Sequence, residues 1–183
     1  RLSLVGSEMC IRDRGYAAFA VDMYGKGVFG KDGDADFNSQ LMAPFAGDRA
    51  LLRARIGSAL SAAKSLSGVD PKRVGAIGYC FGGMCVLELA RGGRDVRGVI
   101  SVHGIFSPGA VPNEPISSKI LCLHGGGGSA ASLQYQQGMQ DLRVALPQWE
   151  FVFASSPVAG GVWYNDPPGG GKEPTNDPNW ADV

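Results

Sequence analysis

Histidine is scarce in this chain, with two copies (His103 and His124) among 183 residues, and net charge is absent, seventeen Lys and Arg balancing seventeen Asp and Glu. No run of Lys or Arg occurs, so the basic footprint of a nucleic-acid binder is excluded and charge names no partner. No stretch of about 18 apolar residues appears, and the opening residues carry Glu8, Arg12, Asp13 and Arg14, so neither a membrane span nor a signal peptide is expected. The four cysteines (Cys10, Cys80, Cys85, Cys122) form no CxxC pair and lack histidines at ligand spacing, which argues against a disulfide framework and against a metal site. A reducing, cytoplasmic setting follows as the default. What is present is 44% hydrophobic residues, enough for one globular core, and 28 glycines with 11 prolines, many of them gathered after residue 104.

Hydrophobic patterning predicts alternating strands and helices. Residues 17–22 (AAFAVD) read as a buried parallel strand opening into the loop MYGKGVFGKDGD. A helical stripe follows over residues 46–66, stopped by Gly68 and Pro71. Strands are predicted over 74–79, 97–103, 119–124 and 149–154, with helices over 81–93 and 132–146. This order defines an α/β fold with a mainly parallel sheet. After Ala154 no periodicity remains.

Chemistry concentrates at Gly78-Tyr79-Cys80-Phe81-Gly82-Gly83. This is a G-x-nucleophile-x-G pattern placed where a strand turns sharply into a helix, the context that makes it credible. Glycines on either side (Gly78, Gly82, Gly83) let strand and helix approach closely, and the turn lifts the Cys80 sulfur above the sheet edge. The helix start favours a thiolate, and the Phe81 N–H can face a developing oxyanion. The plainer reading is a buried cysteine in a glycine-rich turn.

The stretches GYAAFAVDMYGKG, VGAIGYCFGGMCVLELA and RGVISVHGIFSP resemble successive landmarks of the dienelactone hydrolases, members of the α/β-hydrolase superfamily, over residues 15–118. The resemblance implies a partial α/β-hydrolase fold with the family's N-terminal strands missing, no metal and no organic cofactor. It also implies a small-molecule ester or enol-lactone substrate cleaved through a thiol acyl-enzyme on Cys80. Lys26 lies where some relatives use a cation to hold a substrate carboxylate, the alternative being a solvated loop lysine.

Acyl transfer at an elbow needs a base and an acid to orient it, in chain order nucleophile, Asp or Glu, His. The resemblance puts the acid a few residues past the LHG landmark and the histidine near the C-terminus. Here the first stretch reads HGGGGSAAS and no histidine follows Gly125. His103 and His124, each closing a strand, are the substitute bases, with satisfied structural histidines as the alternative. Asp22 reads as a turn residue.

Two further segments stand apart. Residues 1–14 (RLSLVGSEMCIRDR) match no periodic element and resemble translated sequencing adapter, a non-native segment. Residues 119–183, a strand ending in LHG, a glycine run, a helix and a strand, resemble the start of an FSH-type serine hydrolase. The domain expectation is therefore 1–14, 15–118 and 119–183, possibly joined from two hydrolases. The alternatives in function are an FSH-type fragment or a non-catalytic domain that keeps the fold. The GGGGS run lacks the GK[ST] of a phosphate loop.

Overall fold

In the computed structural model, residues 15–31, 33–107 and 109–157 are described. The chain divides into two units, residues 1–20 with 164–183, and residues 21–163. Of the first, only residues 15–20 are described, exposed and outside any helix or strand. The second holds every described element. Residues 1–14 and 158–183, where the adapter-like segment and the C-terminal loop region fall, lie outside the described residues.

Three parallel strands form the sheet in the order β1 (Gly75–Tyr79), β2 (Gly98–Val102), β3 (Lys119–Leu123). Registers run Tyr79↔Val102 and Val102↔Leu123, so the three C-terminal ends are level. Around the sheet lie α1 (Ala35–Gly47), α2 (Arg49–Lys64), α3 (Phe81–Arg91), α4 (Ala130–Gln134) and α5 (Gln137–Ala145). This is a small parallel α/β fold, as the alternating pattern predicts.

The predicted stripe over 46–66 becomes α2, and a separate helix, α1, precedes it. The break falls at Asp48, whose carboxylate accepts the Leu51 N–H at 3.0 Å and caps α2. Asp34 caps α1 in the same way, accepting from the Phe37 N–H. The predicted helix over 132–146 is two helices, interrupted at Gln136, where the backbone is extended (φ −62°, ψ 134°). Gly138 there lies so close to the Phe106 carbonyl that a Cβ would sit 2.2 Å from its oxygen. That contact fixes where α5 begins.

Two predicted strands do not form. Residues 17–22 are exposed and unpaired, since no described strand runs beside β1 on its free edge. Over 149–154 the burial alternates as a strand's would, Trp149, Phe151 and Phe153 turning inward, yet no ladder joins them to β3. An apolar pattern specifies which side chains turn inward, but a strand also needs a partner.

Helix α3 is the centre of packing. One face joins Leu52 and Ile56 of α2 and Val99 of β2 through Met84, Cys85, Val86, Leu89 and Ala90. Its Leu87 meets Phe106, Leu133, Met139 and Leu142 in a second cluster. Glu88, fully buried on the same helix, is held by Arg53 Nε and Arg91 Nη1, each at 2.8 Å. Those arginines also donate to the carbonyls of Pro112 and Phe106, and Arg49 donates to that of Ser107, so the loop after β2 is fastened to α2 and α3. The opposite face of the sheet leaves Ile77, Tyr79 and Leu121 about half exposed. Among the described residues, no helix is long and apolar enough to cross a membrane.

Candidate active site

Cys80 stands between β1 and α3 with φ 51° and ψ −115°, a left-handed backbone that costs a non-glycine residue about 1–3 kcal/mol. Its N–H donates to the Val102 carbonyl at 3.0 Å, and its own carbonyl accepts the Met84 N–H that opens α3. The side chain is exposed, makes no capping hydrogen bond and belongs to no disulfide. Phe81 is the first helical residue, so its N–H is among those that a helix start leaves without an intrahelical acceptor.

The glycines act differently from the symmetric expectation. A Cβ on Gly78 would lie 2.0 Å from the Gly82 oxygen, so the close approach of strand and helix depends on Gly78. Gly82 itself faces open space. The second tight contact is between Gly83 and Gly104, where a Cβ on Gly83 would meet the Ser101 hydroxyl and the Gly104 Cα at 2.7 and 2.8 Å. Gly104 carried no sequence signal beyond following His103.

Cys80, His103 and His124 each follow one of the level strand ends Tyr79, Val102 and Leu123, so the three stand in that order along the C-terminal edge of the sheet. His103 also has a positive φ, 42°, and is exposed, with its ring centroid 6.4 Å from that of Tyr79. His124 is buried. Its Nε2 accepts the Ser156 N–H at 3.2 Å, so Nδ1 carries the proton and donates to the Gly125 carbonyl at 2.9 Å. Both ring nitrogens are thus committed to backbone, an arrangement that suits a structural histidine and not a base for Cys80. Lys26 is exposed in the turn closed by Val28 N–H to Gly25 O. Asp22 is a turn residue, accepting from the N–H groups of Tyr24 and Gly25.

Of the other thiols, burial pushes both Cys85 and Cys122 up to about 12. They stay protonated and unreactive at neutral pH. A groove of about 410 Å³ opens between the loop after β2 and the start of α5, lined by Gly104 to Ser107 and Gln136 to Gly138. Cys80 is not in its lining.

A parallel α/β sheet with a strained turn at Cys80 between strand and helix is the scaffold type seen in α/β hydrolases. The chain matches the dienelactone hydrolase family over residues 7–145, a match that continues through Lys119, and the chain belongs to that family. It is 40% identical over 77 residues to an uncharacterized protein of Caenorhabditis elegans, covering 41% of this chain and 49% of that one. Among solved structures, it is similar to a dienelactone hydrolase-like promiscuous phosphotriesterase from metagenomic libraries, at 31% identity and TM-score 0.58, over 74% of this chain and 55% of that one. It is also similar to a protein called m3DLH, at 30% identity and TM-score 0.63, over 83% and 64%. The chain spans about half the length of the curated relative it matches.

Proposed function

We propose that this chain carries the nucleophile half of a hydrolase of small esters or enol-lactones, with Cys80 as the attacking group. The observation that carries the reading is the exposed Cys80 held in a left-handed turn at the start of α3. In the proposed step the sulfur bonds to the carbonyl carbon and the carbonyl oxygen takes up the negative charge beside the Phe81 N–H. The C–O bond to the leaving alcohol or enol then breaks. Water cleaves the resulting thioester and returns the thiol. His103, on the next strand end, is the base that fits this geometry, taking the thiol proton and giving it to the leaving oxygen. Among the described residues no Asp or Glu is hydrogen-bonded to that ring, so slow turnover is the expectation.

The test is hydrolysis of activated aryl esters and of an enol-lactone, with a phosphotriester included because one solved relative is a promiscuous phosphotriesterase. Slow turnover that disappears in Cys80→Ala and falls in His103→Ala supports the reading. Turnover unchanged in Cys80→Ala overturns it, and no turnover at all favours a domain that keeps the fold without the chemistry.

A further inference from the structure

Gly104 joins the elbow to the groove of about 410 Å³ beyond it. It follows His103 directly and lines the groove. It also packs against the first turn of α3, where a Cβ on Gly104 would lie 2.9 Å from the Gly83 carbonyl carbon and 3.1 Å from its Cα. Gly83 is three residues from Cys80, less than one helical turn. One wall of the groove is Gly104 to Ser107 and the other is Gln136 to Gly138, and the two meet where Gly138 lies against the Phe106 carbonyl.

No charged side chain lines this groove. Ile105 and Phe106 are apolar, and Ser107, Gln136 and Gln137 are neutral. Two charges stand behind the walls, of opposite sign and both engaged. Arg49 donates to the Ser107 carbonyl and hydroxyl at 3.2 and 3.4 Å, and the Asp141 carboxylate accepts from the Gln137 amide at 2.8 Å. A charged group entering the groove would lose hydration without meeting a counter-ion in the lining, whereas an alkyl or aryl group gains by leaving water. The volume is more than twice the roughly 150 Å³ that holds a benzene ring.

We propose that this groove receives the uncharged alkyl or aryl group of the ester, so that the substrates of the Cys80 site are neutral, apolar esters and not carboxylate-bearing ones. The inference rests on Cys80 being the nucleophile. Contact between Gly104 and the first turn of α3 puts the near end of the groove beside the elbow, where a group attached to a carbonyl at Cys80 enters it.

The test is a titration of the full chain with butanamide, hexanamide and octanamide, followed by the backbone amide NMR signals of Ile105, Ser107 and Gln137. Each added methylene should tighten binding about twofold, half of the roughly fourfold effect of full burial in free-energy terms, and so about sixteenfold from butanamide to octanamide. Adipamate, which is hexanamide with its terminal methyl replaced by a carboxylate, should bind at least roughly tenfold more weakly than hexanamide. Ile105→Asp, at a position 38% exposed, should remove the chain-length trend while the signals of the buried Leu52 and Leu89 stay in place. Should Ile105→Asp disturb those signals, Gln136→Glu on the opposite wall replaces it with the same expectation. Equal binding of the three amides, shifts outside the groove, or tighter binding of adipamate overturns the proposal.

Esters carry the test to the reaction. A rise in kcat/KM along 4-nitrophenyl butanoate, hexanoate and octanoate supports the proposal with the acyl chain in the groove, and a rise along butyl, hexyl and octyl acetate supports it with the alcohol there. Turnover indifferent to both chains overturns the groove and keeps the hydrolase reading. Chain-length-dependent amide binding without any turnover supports the groove as a site for neutral apolar groups and removes only the hydrolase reading.

Discussion

The backbone N–H of Cys80 donates to the carbonyl of Val102 at 3.0 Å, so a residue that has already left β1 remains tied to the neighbouring strand. This bond ties the left-handed turn, and with it the exposed Cys80 side chain, to β2. The turn also forces Gly78 against Gly82, which gives the first prediction.

Gly78→Ala should be severely destabilising and Gly82→Ala should not. The added Cβ at Gly78 meets backbone 2.0 Å away, which cannot move without opening the elbow. A cost of about 3 kcal/mol or more is expected from overpacking of this kind. At Gly82 the Cβ enters open space in the first turn of a helix, so the change should be neutral or stabilising by up to about 1 kcal/mol. Urea denaturation of the two variants checks both; equal losses would mean that the elbow is not built as described.

Glu88 and its arginines make the second prediction. Glu88→Ala leaves Arg53 and Arg91 without their buried partner, and removal of one member of such a group costs about 3–5 kcal/mol. Replacing all three residues by apolar ones of similar volume should recover much of that loss in chemical denaturation. It should also loosen the loop after β2, because the bonds to Phe106 and Pro112 go with the arginines. Faster amide exchange over that loop, in a variant with restored midpoint, is the expected signature.

The elbow was legible in the sequence because one short pattern specified both its chemistry and its backbone. G-x-C-x-G-G between an apolar run and a helical stripe leaves few other folds, and β1, α3 and β2 form where the pattern puts them. What failed to show depends on partners distant in sequence. Residues 17–22 and 149–154 have the right side chains but, among the described residues, no neighbour to complete a ladder. The interruption at Gln136 is set by Phe106 against Gly138, a contact across about thirty residues. Tyr24 belonged to a recognised landmark, yet nothing in the local sequence said that its ring would lie on Phe81.

The two histidines should separate by kind of effect. His124→Ala removes a buried ring bonded to Gly125 and Ser156 and leaves their backbone groups unmatched, at a cost of about 1–3 kcal/mol in urea denaturation. His103→Asn, which tolerates the positive φ at that position, should stay within about 0.5 kcal/mol of the parent. Any effect of His103→Asn should fall on turnover instead. Equal stability losses in the two variants would contradict the structural role assigned to His124.

Alkaline pH should weaken the fold through Cys85 and Cys122. Burial holds both thiols at about 12 in the folded chain, whereas an unfolded cysteine titrates near 8.5. Below the unfolded value both states hold these protons, and the contribution to stability is fully present. As pH rises from about 8.5 towards 12, the unfolded chain releases protons that the folded chain keeps, so stability falls by up to about 1.4 kcal/mol per pH unit for each thiol. Urea midpoints measured from neutral pH to about pH 10 should therefore decline, and Cys85→Ala with Cys122→Ala should flatten the decline even though each lowers stability at neutral pH. A slope that survives both substitutions would assign the alkaline sensitivity to other groups and would contradict the protonated state of the buried Cys85 and half-buried Cys122 thiols.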